Sequence, residues 1–134
     1  SAKRKGIDLS KFDIAPADRK EIPIEISKID IGIFFIRPSF SKQASSPVKQ
    51  GELMSMGIPV ITNSGVGDTD EIISKYESGI LINEFNTAAY SEAIKNIEGL
   101  LKKPVDEIIF GAKAYFSLEK GINDYSEVYE KMLI

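Results

Sequence analysis

Apolar and polar positions along the chain fall into two alternating kinds of segment. Asp30-Ile31-Gly32-Ile33-Phe34-Phe35-Ile36 is a continuous apolar run rich in strand formers, the pattern of a strand covered on both faces. Ile58-Pro59-Val60-Ile61-Thr62-Asn63 predicts a second strand, with proline at its start, where a sheet tolerates it. Gly79-Ile80-Leu81-Ile82 predicts a third, and Phe12-Asp13-Ile14-Ala15 a fourth. Helical spacing fills the intervals. Arg19 to Ile29 carries Ile22, Ile26 and Ile29 on one side, and Asp68 to Glu77 carries Ile72, Ile73 and Tyr76. Ser46 to Met56 predicts a helix with Ser46 at the N-cap and Pro47 at the first helical position. Tyr90, Ile94, Ile97 and Leu101 sit at i, i+4, i+7 and i+11, an amphipathic stripe. Two further helices are expected near 105–116 and 124–133.

This βαβα alternation predicts an α/β fold: a Rossmann-like, three-layer parallel sheet with helices on both faces, built as one domain over residues 1–134. Three or four strands followed by three helices reads as the second half of a larger α/β domain, so the sheet is expected to be incomplete. Such sheets bind ligands outside the carboxyl ends of their strands. The segments to weigh for function are therefore 37–47 and 63–70.

Composition narrows the chemistry. The 134 residues include no histidine and no cysteine, which removes thiolate nucleophiles, cysteine or histidine metal ligands and a Ser-His-Asp triad. Ser39, Ser41, Ser45 and Ser46 thus have no imidazole to activate them. Seventeen Lys and Arg against twenty Asp and Glu give a net charge of −3, and the one local basic excess is Lys3-Arg4-Lys5. No basic stripe marks a nucleic-acid partner. The apolar run Ile31 to Ile36 is far short of the ~20 residues of a membrane helix, and no signal peptide opens the sequence. The expected location is cytoplasmic, or peripheral at the inner membrane face.

One helix carries candidate chemistry. The first N–H groups of a helix lack partners and sit at the positive end of its dipole, so the helix that Ser45-Ser46-Pro47 opens can hold an anion at its start. Lys49 lies in the first turn, where a cation is disfavoured by roughly 0.3–1 kcal/mol. It reads either as a solvent-facing lysine or as an anion ligand. Glu52 lies among Val48, Leu53, Met54 and Met56, which predicts burial. It then either pairs with Lys49 or accepts hydroxyl hydrogen bonds from a ligand.

The stretch Ser39 to Ile73 resembles the C-terminal, donor-binding domain of GT-B fold glycosyltransferases, more narrowly the group 1 family that uses nucleotide sugars. The resemblance rests on Ser41-Lys42-Gln43-Ala44-Ser45-Ser46-Pro47, on Glu52-Leu53-Met54-Ser55-Met56-Gly57-Ile58-Pro59-Val60, and on Gly67-Asp68-Thr69-Asp70-Glu71-Ile72-Ile73. It implies a transferase moving a hexose-like sugar from a UDP- or GDP-sugar to an acceptor glycan, lipid or small molecule, as in polysaccharide biosynthesis. It also implies no metal and no cofactor beyond the donor. Glu52 takes the family's ribose-binding glutamate, and the backbone at Ser45 to Val48, with Lys49, faces the diphosphate.

Two departures qualify this. The family's other glutamate, which addresses the donor sugar, falls on Ala44 and leaves the donor sugar and the retaining outcome open. The family's acceptor-binding N-terminal domain and the first βα units of the donor domain have no counterpart, so this chain alone is expected to be inactive. The alternative is a non-catalytic Rossmann-like binding or interaction module. Two decoys lie in 63–70. Gly65-Val66-Gly67, with Glu84 about 20 residues on, has the outline of a dinucleotide loop, but Asp68, Asp70 and Glu71 would repel a pyrophosphate. Asp68-Thr69-Asp70 spells D-x-D, but at a helix start acids are expected as caps rather than metal ligands. Tyr90, Tyr115, Tyr125 and Tyr129 are expected in core or interdomain packing.

Overall fold

The structure is a computed structural model and describes residues 8–133; Lys3-Arg4-Lys5 lies outside them. The element order is α1 (Ile22–Ile26), β1 (Gly32–Ile33), α2 (Val48–Ser55), β2 (Val60–Asn63), α3 (Thr69–Tyr76), β3 (Gly79–Ile82), α4 (Thr87–Leu101), α5 (Val105–Phe116) and α6 (Leu118–Met132). Short 3-10 helices cover Leu9–Lys11 and Phe40–Ala44. The fold is mixed α/β with a three-stranded parallel sheet in the order β1-β2-β3, Gly32 opposite Val60 and Val60 opposite Gly79.

β2 is the central strand and is buried at all four positions. Its alternate side chains enter different clusters, as the two-residue period of a strand requires. Val60 packs with Leu53 and Ile73, whereas Ile61 packs with Ile82 and Ala93. A third cluster joins Met54, Ile72, Ile108 and Ala112 and seats α5 on α2 and α3. Among the described residues no helix is long and apolar enough to cross a membrane.

β1 departs from expectation. Its ladder is short, and Ile33 and Phe35 are exposed, so the run is not covered on both faces. The strand lies at the edge of the sheet and alternates between a buried and an open side. Its course is nevertheless held past Ile33: Phe34 N–H donates to the Ile61 carbonyl at 3.2 Å, and Ile36 N–H to Asn63 Oδ1 at 2.8 Å. The buried Asn63 amide thus extends the ladder with its side chain.

Phe12 to Ala15 is exposed coil rather than a fourth strand. α1 occupies only five of the residues expected, because Pro23 and the β-branched Ile22, Ile24 and Ile26 propagate a helix poorly. α4 is turned relative to the expected stripe. Its buried residues are Ala93 and Leu100; of the expected stripe, Ile97 packs against the cluster of Ile61, Ile82 and Ala93, while Tyr90, Ile94 and Leu101 lie exposed. Phe35 instead meets Phe85 and Tyr90 edge-on, with ring centroids 5.8 and 6.3 Å away. Of the four tyrosines expected in packing, Tyr115 lies against the α2–α3–α5 cluster, and Tyr90, Tyr125 and Tyr129 are exposed. α6 begins earlier than expected, packs beside α5 and buries none of its residues.

Candidate functional site

The loop before α2 is fixed by a backbone contact. Gly67 has φ +50°, and a Cβ at that position would collide with the Ser45 carbonyl oxygen. The segment 45–47 is therefore laid directly on the loop that follows β2, at the carboxyl edge of the sheet. Ser45 is half-buried there, and Pro47 is buried.

Pro47, not Ser46, is the N-cap of α2. Its φ −70° and ψ 112° are extended rather than helical, so the first helical residue is Val48. Ser46 is exposed one residue further out. No side chain caps this end, so the N–H groups of the first turn point outward without a side-chain partner.

α2 faces α5 and the sheet with Gln50, Gly51, Leu53 and Met54. That leaves Lys49, Glu52, Ser55 and Met56 outside. Glu52 is thus exposed, not buried, and forms no ion pair with Lys49. The polar residue that α2 buries is Gln50, fully enclosed with neither amide atom hydrogen-bonded. The sequence signal for it was its position one turn before Met54 on the α5-facing side.

Glu52 opens onto a cleft of about 620 Å³ between α1 and α2. Ser46, Val48, Glu52 and Met56 form one wall, Arg19, Ile22 and Ile26 the other, and Phe116 adds an apolar side. The volume falls within the ~300–1,000 Å³ of small-molecule sites, which are mostly apolar with a few placed polar groups. Of the six sequence-predicted residues, Ser46, Val48 and Glu52 meet at this cleft. Ser45 and Pro47 support the loop behind it, and Lys49 is exposed off it. The sequence gives no signal for Arg19 at this cleft: its periodic segment, Arg19 to Ile29, marks an apolar side, and nothing local ties it to Ser46, 27 residues on.

The two aspartates of the D-x-D sequence have separate protein partners. Asp70 accepts from the Gly65 N–H at 3.2 Å, and Asp68 Oδ2 accepts from the Tyr115 hydroxyl at 2.8 Å. Asp68 stands at the N-cap position of α3 and Asp70 in its first turn, but neither side chain bonds the helix's first N–H groups as a cap would. Burial, the hydrogen bond to Asp68 and the nearby carboxylates push the Tyr115 hydroxyl up to about 12. Ala44 is exposed at the end of the 3-10 helix.

Comparison of the chain with protein-family models, with curated proteins and with solved structures finds no match in any of the three.

Proposed function

We propose that the chain is the donor-binding part of a glycosyltransferase that uses a nucleoside-diphosphate sugar, its sheet belonging to a three-layer Rossmann-like domain. The observation that carries this reading is the meeting of Ser46, Val48 and Glu52 on one cleft at the start of α2. Val48 and Glu52 are four residues apart, about 6 Å along a helix. That separation suits a diphosphate at the helix start and ribose hydroxyls at the carboxylate. The apolar side chains of Ile22, Ile26 and Met56 that line the cleft suit the base.

In the proposed reaction the bond from the sugar's anomeric carbon to the diphosphate oxygen breaks, and one to an acceptor oxygen forms. The diphosphate leaves with the electron pair, and the acceptor hydroxyl gives up its proton. The helix N–H groups oppose the charge that develops on the diphosphate. The acceptor site, the sugar site and the chemical step belong to parts of the enzyme beyond this cleft. A second reading, a binding module without catalysis, is favoured by one observation: the exposed Ala44 offers no carboxylate to the donor sugar.

Calorimetry of the 134-residue chain with uridine and guanosine diphosphates tests the reading. A hydrogen bond to a charged group is worth about 1.5–3 kcal/mol. Glu52 is exposed, so the lower end applies, and Glu52→Ala is expected to weaken binding about tenfold. Binding of neither diphosphate, or equal binding by the variant, would refute the assignment. Sugar transfer by the complete enzyme separates the catalytic reading from the module.

A further inference from the structure

We propose that Arg19 reads the phosphate charge of the ligand in the α1–α2 cleft, so that the cleft selects a nucleoside diphosphate over the nucleoside; this rests on the nucleotide reading given above. Arg19 is the one Lys or Arg among the described residues lining the cleft, and Glu52 is the one carboxylate. Facing one cavity, these opposite charges do not bridge it, and among the described residues neither has an ion-pair partner. A cleft with one unpaired cation and one unpaired carboxylate is complementary to a molecule that is anionic at one end and carries hydroxyl donors at the other.

Ile26, at the end of α1, packs against the cluster of Leu53, Val60 and Ile73. Ser46, two residues before α2, and Arg19, three residues before α1, line the same cleft. The backbone around Arg19 is held there. Glu21 N–H and Ile22 N–H both donate to the Asp18 carbonyl, at 2.8 and 3.2 Å, and Asp18 N–H donates to Glu21 Oε2 at 2.8 Å. That last bond engages the carboxylate of Glu21, two residues after Arg19. A guanidinium on a closed turn presents a planar pair of donors that matches two phosphate oxygens. Lys49, for which the sequence leaves a solvent-facing and an anion-binding reading open, is off the cleft.

The test is calorimetry of the full chain with uridine, uridine diphosphate and guanosine diphosphate, for wild type, Arg19→Gln, Arg19→Lys and Lys49→Gln. Arg19 is exposed and outside any helix, so Arg19→Gln is expected to keep the wild-type circular dichroism and urea midpoint. The expected result is at least tenfold weaker diphosphate binding for Arg19→Gln, unchanged uridine binding, and partial recovery in Arg19→Lys. Arg19→Gln binding the diphosphates like wild type, while Glu52→Ala loses them, would overturn the role of Arg19 and leave the nucleotide site standing. Loss in Lys49→Gln with no loss in Arg19→Gln would assign the charge to Lys49 instead. Wild-type chain that binds neither diphosphate would overturn both readings together.

Discussion

Replacing Gly67 by alanine separates a local strain from a contact that shapes the site, because the chain contains its own control. Gly65 and Gly67 flank Val66 in one loop, and both have positive φ, +79° and +50°. A Cβ at Gly65 meets nothing within 4 Å, whereas at Gly67 it meets the carbonyl of Ser45. Holding a non-glycine residue in the left-handed region costs about 1–2 kcal/mol, and Gly65→Ala is expected to lose only that. Gly67→Ala adds the displacement of backbone that cannot rotate away, of the order of the 1–3 kcal/mol that overpacking costs. The expected totals are about 1–2 kcal/mol for Gly65→Ala and about 2–5 kcal/mol for Gly67→Ala. With a slope of about 1–3 kcal/mol per molar urea, the unfolding midpoints should differ by roughly 1 M. Because the element that must yield is the segment leading to Ser46, Gly67→Ala should also weaken diphosphate binding more than Gly65→Ala does. Equal midpoints for the two variants would refute the contact, and with it the argument that this loop positions α2.

Two more outcomes follow from polar groups in the core. Gln50 is enclosed with both amide atoms unpartnered, and an unsatisfied buried group costs about 1–3 kcal/mol, so Gln50→Met should leave stability equal or raise it by about 1 kcal/mol in urea unfolding. A loss above 1 kcal/mol would mean that the amide has a partner, such as a trapped water. The Tyr115 hydroxyl titrates at about 12 in the fold against 10.0 for the ordinary group, so between those values the folded state holds the extra proton. Its contribution is complete below pH 10 and is lost as pH rises through about 12, and Tyr115→Phe should flatten the fall of stability across that window. An unchanged slope would disconnect Tyr115 from the effect.

The parts of this fold legible in the sequence are those where one interaction dominates. β2 and β3 are apolar runs bounded by turn residues, and both form close to where the pattern places them. α5 does as well, because its apolar side meets Met54 and Ile72. In α4 the stripe's Ile97 reaches the core, but an alanine sets the buried side. Ala93 is small enough for the helix to approach β3 closely, and that closeness outweighs the larger Ile94. At the site, periodicity locates α2 but not its rotation. Contacts with α5 decide that rotation and exchange the expected burial of Glu52 for that of Gln50. The N-cap shifted for a related reason: the extended backbone at Pro47 follows from docking segment 45–47 on Gly67, a long-range contact that cap preferences do not encode. Arg19 reaches the cleft only through the packing of α1 beside α2.

The absence of any buried residue in α6 divides the molecule by how its parts would resist solvent exchange. An isolated helix of 15 residues is close to the length at which helices become marginal in water. α6 is supported chiefly from within. Ser117 Oγ accepts from the Lys120 N–H at its start, and Lys120–Asp124 and Glu127–Lys131 pair along its surface. The amides of β2, enclosed on both sides, open only when the core opens. Those in the last turns of α6 need break only local bonds to meet deuterium, so the helix is expected to exchange as its own small cooperative unit while the sheet stays closed.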